Sequence, residues 1–267
     1  MGRLAGKVAF VTGSGSGIGE AVALRFAEEG AAVICLDINE SSALRVAETI
    51  SGNSGKAIAV GCDVGDIQSM TKIRETVLSG FGGVDIVVNN AGVGVAGSIG
   101  TLNREDWQRG IDVNLSGAYN VTKVFWQHFV DRRRGVVINT SSVMGITGDA
   151  KSIGYCTAKA GLIAFTKCLA IDGAPHGIRA NCVCPGFVDT PAMQQELKSM
   201  GNGSQALRMI EKQLPVGRMA RSQEIANGFL FLASDDASYV TGATLIMDGG
   251  STIGYRGSIM LSDLEGE

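Results

Sequence analysis

The sequence predicts a doubly wound α/β fold: a parallel sheet with helices on both faces. Three observations predict it. Short β-branched, apolar runs alternate with helical patterns from end to end of the chain. Those runs are apolar on both faces, as strands covered on two sides must be. Glycine is abundant, 38 residues against only 4 prolines, which points to many tight strand–helix turns and not to disorder. Such alternation implies βαβ units with right-handed crossovers. A chain of 267 residues can bury a large core, and a doubly wound sheet of this length commonly forms one domain, so residues 1–267 are read as one.

The first strand is Val8–Thr12. A helix follows over Ile18–Glu29, where Ile18, Val22 and Phe26 recur every four residues. Further strands are expected at Ala32–Leu36, Ala57–Val60, Val84–Val88, Val136–Asn139, Arg179–Val183 and Thr244–Met247, seven in all. The segment Tyr155–Asp172 reads as a largely apolar helix. Residues 187–215, rich in Met and Gln, read as a lid over the substrate. The stretch 251–267 has no clear period and reads as a tail, loose or docked on a neighbouring subunit.

Composition excludes several classes. A net charge of −3 with no basic run argues against a nucleic-acid surface. Six cysteines without a Cys-x-x-Cys, and only two histidines, argue against a metal site. Cys182 and Cys184 alternate along a strand and read as small apolar packing residues. The N-terminus lacks the apolar stretch of a signal peptide, and no run of about 18 apolar residues can span a membrane. These features read as a reduced, cytoplasmic protein.

Ligands of open α/β sheets bind outside the carboxyl ends of the strands, so those ends carry the functional reading. After the first strand comes Thr12-Gly13-Ser14-Gly15-Ser16-Gly17-Ile18-Gly19, a glycine turn opening a helix. There the backbone can approach a pyrophosphate, and the helix N-terminus favours anions. After the second comes Asp37, eighteen residues beyond Gly19, near the spacing at which a carboxylate meets the adenosine ribose. It would repel a 2′-phosphate; about 2.7 kcal/mol of repulsion is roughly a hundredfold in affinity. No Arg or Lys lies within the glycine turn or directly after Asp37, so NAD is expected over NADP. The alternative for Asp37 is an N-cap of the next helix. Asp63-Val64 suits the adenine edge, with a turn or capping role open for Asp63. Asn89-Asn90-Ala91-Gly92 can tie strand ends together and line a ribose. Asn139–Ser142 ends the fifth strand, and Pro185-Gly186 ends the sixth, with Thr190 beyond.

Tyr155 and Lys159 stand four residues apart and share one helical face, with Ser142 thirteen residues upstream. A free phenol, with a pKa of about 10, is a poor base at neutral pH. A unit cation about 4 Å away, at an effective dielectric near 20, would favour the phenolate by about 4 kcal/mol, or about three pKa units. The phenol would then exchange protons near pH 7. Cys156, beside Tyr155, reads as a packing residue.

As a set, these motifs closely resemble the short-chain dehydrogenase/reductase family, in the form with Thr-Gly-x-x-x-Gly-Ile-Gly and Tyr-x-x-x-Lys. The resemblance runs from about residue 4 to 250 and includes the ending Val240–Ala243 through Asp248-Gly249-Gly250. It implies a Rossmann-like sheet in the order 3-2-1-4-5-6-7 and a homotetramer joined by the helices around Asn114 and Tyr155. It implies Tyr155 as general acid/base, Lys159 depressing its pKa and holding the nicotinamide ribose, and Ser142 bonding the substrate oxygen. Asn114 would anchor a water that passes the proton on, although an Asn within a helix also simply bends it. Asn90, Ala91, Gly92, Pro185, Gly186, Val188 and Thr190 would line the cofactor. The expected partner is a small alcohol or ketone, bordered by Val93–Ser98, Val143–Lys151 and the lid. Three readings stay open: an NAD-dependent secondary-alcohol dehydrogenase, an NADPH-dependent ketone or 3-oxoacyl reductase, and a catalytically silent nucleotide-binding protein.

Overall fold

The computed structural model describes residues 2–199 and 201–254. Its strands are β1 (Val8–Thr12), β2 (Ala32–Asp37), β3 (Lys56–Gly61), β4 (Ile86–Asn89), β5 (Gly135–Thr140), β6 (Ile178–Pro185), β7 (Val188–Asp189), β8 (Ala220–Arg221) and β9 (Thr244–Met247). Seven of them form one sheet in the order β3-β2-β1-β4-β5-β6-β9, while β7 and β8 pair separately. Every pairing in the large sheet is parallel. The expected order is thus met, with β9 as the seventh strand. The fourth strand starts later than the Val84–Val88 run implied. The Val84 amide donates to the His128 ring instead of to a neighbouring strand.

Strand residues point alternately to the two faces, and both faces are apolar. On one, Val11 and Val33 meet Phe26, Phe229 and Leu230. These aromatics sit on α1 (Gly17–Glu28) and α10 (Ser222–Ala233). On the other, Phe10 and Ile34 meet Val121, Phe125 and Phe129 of α5 (Gly117–Arg132). The Phe10 and Phe125 rings lie 5.0 Å apart, tilted at 57°, a favourable aromatic geometry. α2 (Glu40–Gly52), α3 (Ile67–Phe81), α4 (Arg104–Ile111), α6 (Met144–Thr147) and α7 (Ile153–Gly173) complete the crossovers. α4 runs into α5 through a π turn, Asp112–Ser116.

Between β7 and β8, α8 (Pro191–Ser199) and α9 (Gly203–Gln213) carry their own small cluster. Leu197, Leu214 and Met219 are buried there against Met193, Leu207 and Ile210. Of the expected C-terminal tail, Ser251 and Thr252 donate their hydroxyls to Asp248 Oδ2 at 3.0 and 2.7 Å; residues 255–267 lie outside the described residues. No helix among the described residues is long and apolar enough to cross a membrane.

Candidate active site

Strand order reverses between β1 and β4, and the carboxyl ends there diverge into a crevice. A cleft of about 630 Å³ opens at that point. Its wall begins with the turn after β1. Gly17 sits at φ +58°, a left-handed backbone, and a Cβ there would stand 3.2 Å from Thr190 Cγ2. A Cβ on Gly19 would run into the Gly13 carbonyl and come 2.5 Å from Asn90 Nδ2. Gly19 therefore serves the packing of α1 under the turn, and does not itself line the cleft. Asp37 sits at the end of β2 on the cleft wall. Its Oδ2 accepts from the Gly15 amide at 2.9 Å and its Oδ1 from the Asn39 amide at 2.9 Å. The N-cap of α2 is Asn39, which accepts from Ser42 N, so the capping alternative for Asp37 is removed.

Folding also brings a cation that linear sequence did not show. Arg45, one turn and a half into α2, reaches back to donate to the Gly15 carbonyl at 2.9 Å. The same guanidinium is held by Glu20 through bonds of 2.7 and 2.9 Å, a bidentate pair that fixes its direction. It is therefore committed to Glu20 and the loop.

Buried polar side chains lock the remaining strand ends together. The Thr12 hydroxyl accepts from the Asn90 and Ala91 amides at 2.9 and 3.0 Å. Asn90 Nδ2 donates to the Thr12 and Gly13 carbonyls, both at 3.2 Å. One layer deeper, Asn89 Nδ2 donates to Asn139 Oδ1 at 2.8 Å, and Asn139 Nδ2 donates to Thr166 Oγ1 at 2.8 Å. Thr166 belongs to α7, so this relay fixes the helix against β4 and β5. Ser141 adds a second tie, its hydroxyl donating to the Lys159 carbonyl at 2.8 Å.

α7 presents Tyr155 and Lys159 to the cleft, opposite Ser142. Lys159 is buried, with 3% exposure. Its Nζ donates to the Thr140 carbonyl at 2.7 Å and lies 5.5 Å from the Tyr155 ring centre. Burial pulls its pKa down to about 8. Burial also raises the half-buried Tyr155 phenol above its ordinary value, and the facing Ser142 hydroxyl opposes that rise. The expected drop of the phenol toward neutrality is not met in this geometry. The reason is physical: the ammonium is bonded to a carbonyl and not to the phenol oxygen, so loss of water around the phenol prevails.

Asn114 lies at the centre of the π turn and is 1% exposed. Its Nδ2 donates to the Gly110 and Val93 carbonyls, each at 2.9 Å, and its Oδ1 accepts from Val93 N at 3.1 Å. It thus shapes the helix and holds the loop after β4. A Cβ on Gly92 would fall 2.8 Å from Asn114 Oδ1 and 3.5 Å from Lys159 Nζ, so Gly92 separates the two. Thr190 Oγ1 accepts from Met193 N at 3.2 Å and starts α8.

The cleft gathers Gly13, Ser16, Gly17, Ile18, Asp37, Asn90, Ala91, Gly92, Asn114, Ser142, Tyr155, Lys159, Pro185, Gly186, Val188 and Thr190. Asp63 and Val64 stand off it. Asp63 Oδ1 accepts from Gly65 N at 2.8 Å in a local turn, and Val64 is buried against α5. Among the described residues no group of three His, Cys, Asp or Glu side chains is placed to hold a metal ion.

A family profile described as enoyl-(acyl carrier protein) reductase matches residues 13–252. The chain is 39% identical to 3-oxoacyl-[acyl-carrier-protein] reductase of Thermotoga maritima over 251 residues, 94% of this chain and all of that one. It is 37% identical to meso-2,3-butanediol dehydrogenase of Serratia marcescens over 252 residues, 94% of this chain and 96% of that one. A crystal structure of a putative short-chain dehydrogenase/reductase from Burkholderia xenovorans superposes with a TM-score of 0.92 at 35% identity, covering 95% of this chain and 99% of that one. The chain belongs to the short-chain dehydrogenase/reductase family.

As a short-chain dehydrogenase/reductase it is an oxidoreductase of hydroxyl and carbonyl carbons. The wall farther from Asp37 is the one sequence read least well. Val93, Val95, Val143, Met144 and Phe187 were within the expected borders and line it. Asp149 and Lys151, at the far end of the Val143–Lys151 border, are exposed and stand outside the lining of the cleft. Ser152 and Glu196 line it too, and no motif marked either. The two border loops are clamped by the Gly97 amide donating to the Lys151 carbonyl at 2.6 Å.

Proposed function

We propose that this enzyme transfers hydride between NAD and a secondary alcohol or ketone of moderate size, with Tyr155 as general acid/base. The observation that carries the reading is the convergence of Ser142, Tyr155 and Lys159 on one cleft with the glycine turn and Asp37. The residues present fit a dinucleotide: Gly17 holds a left-handed backbone on the cleft wall, where a Cβ would crowd Thr190, and Asp37 faces the cleft beyond it.

When bound, the dinucleotide supplies the hydride acceptor or donor. Ser142 holds the substrate oxygen. The Tyr155 phenol oxygen takes the proton of the alcohol as the C–H hydride leaves, or returns it to the carbonyl oxygen in reduction. Lys159, charged below its pKa of about 8, stabilises the phenolate and holds the ribose. Asn114 keeps the π turn open and anchors the water that carries the proton outward. Asp37 accepts from the adenosine ribose and excludes a 2′-phosphate. Arg45, engaged with Glu20, leaves that carboxylate uncompensated. Residues 187–215 act as the lid, and the whole chain acts as one domain.

A second reading, NADPH-dependent reduction of a 3-oxoacyl thioester, is favoured by the name of the Thermotoga maritima relative. Asp37 speaks against it. Assembly as a homotetramer is part of the proposal, since Tyr119 of α5 and Ile171 of α7 are 49% and 74% exposed on faces suited to burial. Sedimentation at micromolar concentration checks it. An alcohol panel with NAD and NADP, read by absorbance of the reduced cofactor, tests the function. Tyr155→Phe is expected to lower kcat by about 10³-fold or more with cofactor binding retained. Near-normal turnover in that variant refutes the mechanism.

A further inference from the structure

The substrate half of the cleft carries one charge that the mechanism does not use. Among the described residues, three charged side chains line the cleft: Asp37, Lys159 and Glu196. Asp37 belongs to the adenosine end. Lys159 is sealed in the floor with its ammonium on the Thr140 carbonyl. Glu196 therefore sets the sign of the charge that a substrate meets beyond Ser142 and Tyr155.

Glu196 lies on α8 one turn after Met193, and both line the cleft. Its charge reaches the Tyr155 phenol and opposes ionisation there. Among the described residues, no ion pair engages its carboxylate. Ser199 donates only to its main-chain carbonyl, at 2.7 Å. The neighbouring side chain on α8 behaves differently: Gln194 Nε2 is taken by Asp189 Oδ1 at 2.6 Å. A carboxylate that accepts no hydrogen bond from the described residues thus overlooks walls of Val95, Val143, Met144 and Met193.

We propose that Glu196 is a specificity-determining residue that selects a neutral secondary alcohol bearing a second hydroxyl, a diol or polyol, and turns away substrates carrying a carboxylate or phosphate. The inference rests on the dehydrogenase reading and names the substrate class of that site. A carboxylate makes strong, short bonds to hydroxyl donors. A like charge about 6 Å away in a half-wet cleft is disfavoured by roughly tenfold. The apolar walls hold the carbon skeleton, and the rim carboxylate reads the distal hydroxyl.

The test uses matched pairs of secondary alcohols of increasing size, differing only in a distal CH₂OH or carboxylate. The smallest pair is 1,3-butanediol and 3-hydroxybutyrate. kcat/KM is measured with NAD and with NADP for the full chain and for Glu196→Gln and Glu196→Ala, which alter an exposed rim position. The unaltered enzyme is expected to prefer the hydroxyl member of each pair it oxidises. Glu196→Gln should raise kcat/KM for the carboxylate member about tenfold and move the diol by no more than about threefold. Glu196→Ala should raise KM for the diol several-fold without lowering kcat. A selectivity ratio that Glu196→Gln leaves in place overturns the role of Glu196 while the dehydrogenase reading stands. Preference of the unaltered enzyme for carboxylate members does the same. Absence of hydride transfer from any alcohol to either cofactor overturns both.

Discussion

Lys159→Met is expected to make this protein more stable at neutral pH while abolishing its turnover. Burial lowers the Lys159 pKa from 10.5 to about 8. A shift of about 2.5 units is worth about 3 kcal/mol. The sign follows from proton counting. Below pH 8 the ammonium is charged in both states, and the folded state bears the full cost of desolvating it. Between pH 8 and 10.5 the folded chain releases a proton that the unfolded chain keeps, so stability rises with pH. Above 10.5 the group is neutral in both states and the cost is gone. Methionine preserves most of the apolar stem and removes the charge. It forfeits the bond to the Thr140 carbonyl, worth about 1 kcal/mol net. The variant should therefore exceed the parent by about 2 kcal/mol at pH 7 and fall below it by about 1 kcal/mol near pH 10.5. Urea unfolding of both proteins at several pH values and one protein concentration measures the difference. Burial also holds the Cys35 thiol up to about 12, which weakens the fold at alkaline pH, but this contribution is common to both proteins and cancels. A variant less stable than its parent at pH 7, or a difference that ignores pH, refutes the account of Lys159 as a strained cation.

Asp37→Ala should shift the kcat/KM ratio of NADP to NAD upward by about a hundredfold, since it removes the repulsion of a 2′-phosphate; an unmoved ratio in steady-state kinetics assigns coenzyme choice elsewhere. Asn114→Ala strips three bonds, to Gly110 O, Val93 O and Val93 N. It should cost about 2–4 kcal/mol in chemical unfolding, with kcat falling because the wall beside Gly92 loosens. With the Tyr155 phenol raised by burial, alcohol oxidation needs the rarer phenolate. Its kcat/KM should climb about tenfold per pH unit from pH 6 to 8 while ketone reduction stays flat; a flat oxidation profile removes Tyr155 as the base.

The sheet was legible because both its faces are covered: a strand buried twice must be apolar throughout, and seven such runs announce seven strands. What stayed hidden obeys the same logic in reverse. β7 and β8 are two residues each, too short to leave a period. The π turn at Asp112–Ser116 has no glycine or proline to mark it, and only Asn114, a residue that competes for backbone bonds, hinted at it. The half of the cleft lined by the glycine turn and Asp37 was readable because local motifs build it at strand ends. Arg45 escaped because it acts across a helix, and Glu196 because α8 lies in a segment with no recurrent pattern. Asp63 and Val64 follow a strand end as the others do, yet they stand off the cleft, because Val64 turns inward against α5. Burial raises the phenol where spacing alone implied a drop, because spacing gives proximity but not burial.

Burial of Lys159 explains why the floor of the cleft is so heavily cross-tied. A charged ammonium in a dry floor is driven outward by about the 3 kcal/mol that lowers its pKa. Holding it requires that α7 cannot slide along β5. The Asn139–Thr166 bond, the Ser141 bond to the Lys159 carbonyl and the Lys159 bond to the Thr140 carbonyl all oppose that slide. At about 1 kcal/mol net each, they match the outward drive. The helix also contributes little amphipathic guidance of its own, since it is apolar nearly all round, with Ile171 exposed on one side and Leu162 buried on the other. Register therefore depends on these directional bonds more than on the hydrophobic stripe. An Asn139→Leu variant should keep the sheet and its burial yet lose more kcat than stability, because a shift of α7 by a fraction of a turn separates Tyr155 from Ser142. Equal loss in both would mean that the relay serves packing alone.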